Sequence, residues 1–360
     1  MNRRTDFNAI KRAISSSLRV ATPKALLAEG DSLKLLKLLP SHCISLILTD
    51  PPYHSTKKDN VFGDTLFKHD KDYLAWMGEF AKEWHRVLKP NGSLYCFCAP
   101  EMAARLEVVI ARDFNVLSQI TWTKPNEPGF DGWKQKMKKE SLRQWYAHTE
   151  RIIFAEPAYE GNLFKSYFGN MLREMRLKAN MTTYQLAEVI GAYGKVNHGG
   201  AVANWEAGRN VPSVEQYEKI CDAILKTGKV KNMPPYRDAI RTFKVDSSIE
   251  FTDVWNFPSV RPYKTKHPAE KPLNLLDHAI KATTYPGDIV LDCFGGSGST
   301  AFAATKIGRL SVTMEIDPVW VRCIASQLDL GNHHQHLRRP LHSGTVIQRA
   351  NELELSLISA

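Results

Sequence analysis

The stretch ISLILTDPPY, residues 44–53, joins a continuous apolar run to an abrupt polar corner. An apolar run of this length is typical of a strand that is buried on both faces of its sheet. The run stops at Asp50, and the two prolines after it fix the backbone where the chain leaves the sheet. A strand buried on both faces needs helices on both sides, so this stretch indicates an α/β fold.

The same pattern extends outward from this strand. Strand-like runs alternate with helix-like segments up to about residue 155 and again after residue 287. Such alternation predicts a parallel, doubly wound sheet. The predicted strands are 25–29, 44–49, 93–98, 116–122, 151–155, 288–293 and 311–315, and the predicted helices are 33–39, 73–88 and 300–307.

The segment between the two α/β stretches has a different character. Residues 168–227 have helical periodicity and no convincing strand, and the chain becomes basic and irregular after Leu330. We therefore predict four parts. They are the two halves of one α/β domain at 24–165 and 250–330, an inserted helical module at 168–227, and a tail at 331–360.

Composition narrows the classes of protein and partner. The 360 residues contain 48 Lys and Arg against 38 Asp and Glu, a net charge of +10 that favours a polyanionic partner such as nucleic acid over a merely basic surface. The six cysteines form no CxxC pair, which argues against zinc and disulfide scaffolds and favours a reducing cytoplasm. The longest strongly apolar stretch, 44–48, is too short to span a bilayer, so no membrane partner is expected.

The corner after the central strand suits chemistry on an exocyclic amino group. The nitrogen of such a group is a poor nucleophile, because its lone pair is delocalised into the base. A carboxylate from Asp50 and the Pro51 carbonyl could accept its two hydrogens, with Pro52 holding the backbone. Tyr53 would provide a face on which an extruded base can stack. The alternative is an ordinary strand-to-turn corner.

A second motif follows a later strand. The sequence DCFGGSGST, residues 292–300, has glycines where a strand would turn into a helix, and such a turn lets the backbone approach a ligand closely. Glu315 ends the next predicted strand and suits a ribose diol. A dinucleotide could bind such a turn, but the spacing is not GxGxxG.

Together with HPAEKP at 267–272, these two motifs resemble those of the β-group DNA amino-methyltransferases. The resemblance implies a circularly permuted, Rossmann-like methyltransferase sheet, in which the catalytic motif precedes the S-adenosylmethionine motif. It also implies that Asp31 lies near the cofactor's adenine, that Glu315 binds its ribose, and that Lys271 closes over its methionine end. The residues implied to line the methionine side are Asp292, Phe294, Gly295, Gly296, Gly298 and Thr300. A solvated charge remains the alternative for Lys271.

The inserted module resembles the helix-turn-helix of phage-repressor-type regulators. In that family the third helix, here 201–208, lies in the major groove of DNA. The resemblance also implies a structural ion pair between Arg176 and Glu206. The residues that we expect to face DNA are Lys195, Asn197, His198, Asn204 and Arg209. The alternative is a protein-binding helical bundle.

The sequence thus predicts a site-specific DNA methyltransferase that acts on duplex DNA and uses S-adenosylmethionine. It needs no metal, because the sulfonium already activates the methyl group. The resemblance favours adenine N6 over cytosine N4 and is compatible with a homodimer and with a partner restriction nuclease. Two other classes stay open, a DNA-binding regulator with an inactive methyltransferase fold and a methyltransferase acting on small molecules or protein glutamine. Intact Asp50, Tyr53 and Glu315 argue against the inactive regulator.

Overall fold

A computed structural model describes residues 3–54, 66–125, 140, 143, 145, 148–158, 166–192, 200–245, 251–261, 267 and 269–330. The strands in this part of the chain are β1 (Leu18–Ala21), β2 (Ala25–Glu29), β3 (Ile44–Thr49), β4 (Leu88–Cys98), β5 (Phe114–Thr123), β6 (Thr149–Pro157), β7 (Val254–Asn256), β8 (Ile289–Asp292) and β9 (Leu310–Glu315). The helices are α1 (Arg3–Ala13), α2 (Ser32–Leu38), α3 (Asp70–Val87), α4 (Pro100–Ile110), α5 (Tyr167–Lys178), α6 (Thr183–Val189), α7 (Gly200–Glu206), α8 (Val214–Lys226), α9 (Tyr236–Ala239), α10 (Leu273–Thr283), α11 (Ser299–Lys306) and α12 (Pro318–Leu330).

The strands form one sheet in the order β1-β2-β9-β8-β3-β4-β6-β5-β7. Strands β2, β9, β8, β3 and β4 are parallel, and their central position explains their apolar sequences. The prediction of a parallel sheet is wrong for β1 and β6, while β5 and β7 run in the same direction as the central strands. Strand β6 runs antiparallel to both β4 and β5, and β1 runs antiparallel to β2. A strand's apolar pattern reports burial and not direction, so the sequence did not reveal this reversal.

Helices cover both faces of the sheet, as the sequence predicts. Alternate residues of each strand point to opposite faces, so Ile47 joins the core under helices α1 to α4 while Leu48 joins the core under α10 and α11. Strand β4 begins earlier than the predicted residue 93 and includes Lys89-Pro90-Asn91-Gly92. At the start of β4, Leu88 pairs with Ile44 of β3, so residues 89–92 lie within the strand and form an irregularity in its pairing.

Helices α5 to α9 enclose a separate hydrophobic core, which we call the helical cluster. Its buried residues run from Phe168 to Ile240, past the predicted end of the module at 227. The cluster touches the sheet where α5 packs against β4 and where Asn91 donates to the carbonyls of Arg237 (3.0 Å) and Ile240 (3.3 Å). The helical cluster therefore has its own core and is attached to the sheet through α5 and the segment around α9.

Candidate active site

A cavity of about 710 Å³ opens at the edge of the sheet where β3, β8 and β9 end. Parallel strands present their carboxyl ends at one edge, and ligands of open α/β sheets bind there. The predicted site residues that line it are Asp31, Asp50, Pro51, Pro52, Tyr53, Lys271, Asp292, Phe294, Gly295, Gly296, Thr300 and Glu315. Gly298 is not among the lining residues, because it caps α11 behind the turn with φ of +78°. The fold thus joins the two predicted motifs in one cavity.

The glycine-rich turn leaves no room for side chains. A Cβ at Gly295 would lie 2.6 Å from Thr313 Cγ2, and one at Gly296 would lie 3.1 Å from His267 Cε1. Gly296 also has φ of +50°, which favours glycine. The turn is held against β9 by the Gly295 amide, which donates to the Met314 carbonyl at 2.9 Å. The side of the turn that faces β9 is therefore closely packed, and the side that faces the cavity is open to a ligand.

Asp292 is held at the junction of the two motifs by Thr49, a residue that the sequence analysis did not single out. The Thr49 hydroxyl donates to Asp292 Oδ1 at 2.9 Å and accepts from the Cys293 amide at 3.1 Å. The Phe294 amide also donates to Asp292 Oδ1, at 3.1 Å. Burial nevertheless raises the pKa of Asp292 to about 7. A cation in this part of the cavity would favour the ionised carboxylate.

Two acidic residues lie at the far side of the cavity. Glu315 accepts the backbone amides of Gly296 (2.6 Å), Ile316 and Asp317 (both 2.8 Å), and burial raises its pKa. Asp31 is the N-cap of α2 and accepts from the Leu33 amide at 2.9 Å. Both carboxylates are therefore fixed in direction by backbone donors.

The wall beside these residues is aromatic. Phe294 packs against Trp76 and Phe80 with ring-centroid distances of 5.7 and 5.1 Å. Both partners belong to α3 and line the cavity. Neither was predicted as a site residue, because their spacing in a helix is also that of core residues.

The opposite wall is formed by the corner after β3. The Lys271 ammonium donates to Asp50 Oδ2 and lies 3.5 Å from Glu150 Oε2. Burial raises the pKa of Asp50, and Lys271 only partly offsets it. Burial disfavours the charged form of Lys271, but the two carboxylates outweigh it and its pKa is raised. Asp50 Oδ1 is buried and accepts no hydrogen bond from the described residues, so it is available to a substrate donor.

Glu150 completes this wall and was missed by the sequence analysis. It accepts from the Tyr53 hydroxyl at 2.6 Å and from the Lys124 ammonium. Burial alone would raise its pKa, yet Lys271 and Lys124 together hold the pKa down at about 2. Burial raises the pKa of Tyr53 well above its usual value, so Tyr53 keeps its proton. The only sequence signal was that an acidic residue directly precedes a predicted buried strand.

Two of the residues predicted to face DNA from the inserted module, Asn204 and Arg209, do not line the cavity. Asn204 lies on α7, and Arg209 is exposed just beyond it and donates to Asn204 Oδ1 at 3.1 Å. The predicted Lys195, Asn197 and His198 lie outside the described residues. Arg176 and Glu206 form the predicted ion pair, with Nη2 and Oε2 2.9 Å apart. That pair joins α5 to α7 and is structural.

Known proteins resemble this chain along most of its length. A family model described as DNA methylase matches residues 44–326. The chain is 26% identical over 315 residues to DNA adenine methyltransferase YhdJ of Escherichia coli (strain K12), covering 85% of this chain and 83% of that protein. It is 26% identical over 316 residues to type II methyltransferase M.PvuII of Proteus hauseri, covering 82% and 81%.

A solved structure has the same fold. The PvuII DNA methyltransferase, described as cytosine-N4-specific, superposes with a TM-score of 0.51 at 16% identity, covering 94% of this chain and 95% of that chain. None of the helices in the described part of the chain combines the length and the apolar character of a membrane span.

Proposed function

The chain belongs to the N6/N4 family of DNA methyltransferases, and we propose that it methylates adenine at N6 in duplex DNA with S-adenosylmethionine as the donor. One observation carries this proposal. Asp50 has a buried oxygen without a hydrogen-bond partner in the described part of the chain, and the residue lines the same cavity as the glycine-rich turn. An amino donor bound to Asp50 would therefore face a cofactor bound at the turn.

The residues around the turn fit S-adenosylmethionine. The backbone of Gly295 and Gly296 lines the cavity, and Glu315 presents a carboxylate suited to ribose hydroxyls. Asp292 presents a second carboxylate, suited to the cationic end of the cofactor. The bound cofactor would supply an activated methyl group. We assign its other contacts to Asp31, Phe294 and Thr300. Gly298, which lies behind the turn, would support the backbone there and not contact the cofactor.

The protein's own part in the reaction is to prepare the amino nitrogen. Asp50 Oδ1 and the Pro51 carbonyl would accept its two hydrogens, which draws the nitrogen towards a tetrahedral geometry with a usable lone pair. Pro52 restricts the backbone at this corner. Tyr53 would stack on the extruded base, and its hydroxyl is fixed by Glu150 at 2.6 Å.

Adenine is the base favoured by the resemblance, because related cytosine-N4 enzymes more often have Ser where Asp50 stands. Single-molecule sequencing of DNA from methylation-free cells that express the protein tests both the base and the site. N6-methyladenine within one short motif is the expected result. N4-methylcytosine would overturn the choice of base, and unmodified DNA from cells containing folded protein would overturn the proposed activity.

We propose further that the helical cluster is an inserted helix-turn-helix that reads DNA. Its helices have the expected order, α6 and α8 both begin with capping boxes, and the cluster has its own core. The module would interrupt a permuted methyltransferase domain between 24–165 and 250–330. Asn204 and Arg209, with Lys195, Asn197 and His198, would contact the duplex.

A further inference from the structure

Glu150 lies outside both predicted motifs, yet it contacts Tyr53, Lys124 and Lys271 beside Asp50. It lies at the start of β6, in register with Trp122 of β5. Tyr53 and Lys124 donate to its two oxygens, and the Lys271 ammonium lies 3.5 Å from Oε2. A buried carboxylate with this many donors is fixed in position and remains ionised.

Lys271 lies between two carboxylates. Its ammonium bonds to Asp50 Oδ2, and it lies over the rings of Tyr53 and Phe97 at 5.2 and 5.1 Å from their centroids. A movement of less than about 1 Å would bring it within hydrogen-bond distance of Glu150. The ammonium can therefore exchange one carboxylate for the other without leaving the site.

In the proposed reaction, this exchange would move a positive charge away from Asp50 while the amino nitrogen becomes positively charged. As the bond from the amino nitrogen to the methyl carbon forms, the carbon–sulfur bond breaks with its electron pair going to sulfur. The nitrogen becomes positively charged until one of its protons leaves to water. An ammonium held on Asp50 opposes that charge and competes with the amino group for the carboxylate.

We propose that Glu150 is a positioning residue that takes the Lys271 ammonium from Asp50 when the amino group of the base binds there. This inference rests on the proposed function. It assigns Glu150 an effect on the rate of methyl transfer that operates through Lys271 and does not require contact with DNA or cofactor.

The surroundings of Asp50 determine how the activity should depend on pH. Glu150 raises the pKa of Asp50, and Lys271 lowers it. Removing the charge of Glu150 should therefore move the acid limb of kcat/KM to lower pH, while removing that of Lys271 should move it to higher pH. The other titratable groups that face Asp50 are Tyr53, Asp292, Cys96 and Cys98. Of these, Tyr53 also donates a hydrogen bond to Glu150.

The test is a double-mutant cycle on the full-length protein. Glu150→Gln, Lys271→Met and the double variant are compared by single-turnover transfer of labelled methyl to unmethylated duplex DNA. Glu150→Gln should slow transfer about tenfold in the native background and less than about twofold when Lys271 is Met. Glu150→Asp should recover part of the rate, because it retains the charge.

A matched control is available on the same strand. Glu156 also has a side chain that is 15% exposed and is paired with a cation, Arg241, at 2.7 Å, but it is at the other end of β6. Glu156→Gln should leave the rate and the acid limb unchanged.

The outcomes separate the two proposals. An inactive native protein would contradict the proposed function. An active native protein in which Glu150→Gln slows transfer equally in both backgrounds, or leaves the acid limb in place, would overturn the role of Glu150. Equally slow transfer by Glu150→Asp and Glu150→Gln would also overturn the role of Glu150. That comparison does not require the Lys271→Met variant to fold.

Discussion

The sheet and the helical cluster are assembled in different ways. At the edge of the sheet, Asp50, Glu150 and Lys271 come from three distant parts of the chain. The core of the helical cluster is built from one continuous stretch, and its main ion pair joins Arg176 to Glu206. Chemistry at the edge therefore depends on the complete sheet, whereas we expect that the cluster can be weakened without disturbing the cavity. Variants that affect only one of the two regions test this difference.

The largest effect should come from Asp50. Asp50→Asn keeps the shape of the side chain but weakens its acceptor, so methyl transfer should slow by about 100-fold or more. Cofactor affinity, measured by calorimetry, should stay near that of the native protein, because Asp50 acts on the base. Transfer at a rate close to native would show that another group prepares the amino nitrogen.

Glu315 should affect binding in the same cavity. Glu315→Ala removes the proposed ribose acceptor and should raise the Kd for S-adenosylmethionine by about 10- to 100-fold. Glu29 pairs in register with Glu315 on the neighbouring strand and does not line the cavity. If Glu29→Ala weakened binding as much as Glu315→Ala, the effect would come from the sheet and not from the ribose contact.

The helical cluster can be weakened selectively at Gly169. A Cβ there would lie 2.6 Å from the Glu206 carbonyl oxygen, so Gly169→Ala should destabilise the cluster by about 1–3 kcal/mol. Hydrogen exchange of α5 and α7 should speed up while cofactor affinity is unchanged. The same substitution at Gly78, where a Cβ meets only Val109 at 3.6 Å, is the control and should not destabilise α3. Loss of cofactor binding in Gly169→Ala would mean that the two regions are coupled.

Binding of the cationic cofactor should depend on pH through Asp292. Its pKa of about 7 means that the carboxyl group is mostly protonated below pH 7 and charged above it. The cofactor favours the charged form, so affinity should rise about tenfold from about pH 6 to about pH 8. Calorimetry on Asp292→Asn should show weaker binding without this rise. An equal rise in both proteins would assign the dependence to another group.

The smallest effect should come from the surface of the cluster. Arg209→Gln should lower DNA affinity a few-fold and reduce the salt dependence of binding by about one unit, if the side chain contacts a phosphate. The rate at saturating DNA should be unchanged. A variant that binds DNA like the native protein at every salt concentration would favour the protein-binding alternative for the module.

Much of the site was predictable from motifs that are short in sequence. The corner at Asp50 and the turn at Gly295 each combine a strand end with residues of special backbone geometry, so local sequence was sufficient. Thr49 was not assigned a role, because its role depends on strands that become neighbours only in the sheet. The sequence did not predict the direction of β6, and that direction determines which of its residues reach the site.

The sequence by itself determined strands β2 to β6, β8 and β9, the two motifs and the separate helical character of the insert, because these depend on periodicity and backbone chemistry within short stretches. Only the tertiary structure decided that Glu150 belongs to the catalytic corner. In a parallel strand, a residue at the start would lie at the edge opposite Asp50. Because β6 runs antiparallel to β4, its first residues lie at the edge where β3 ends, and Glu150 meets Tyr53 and Lys271 there.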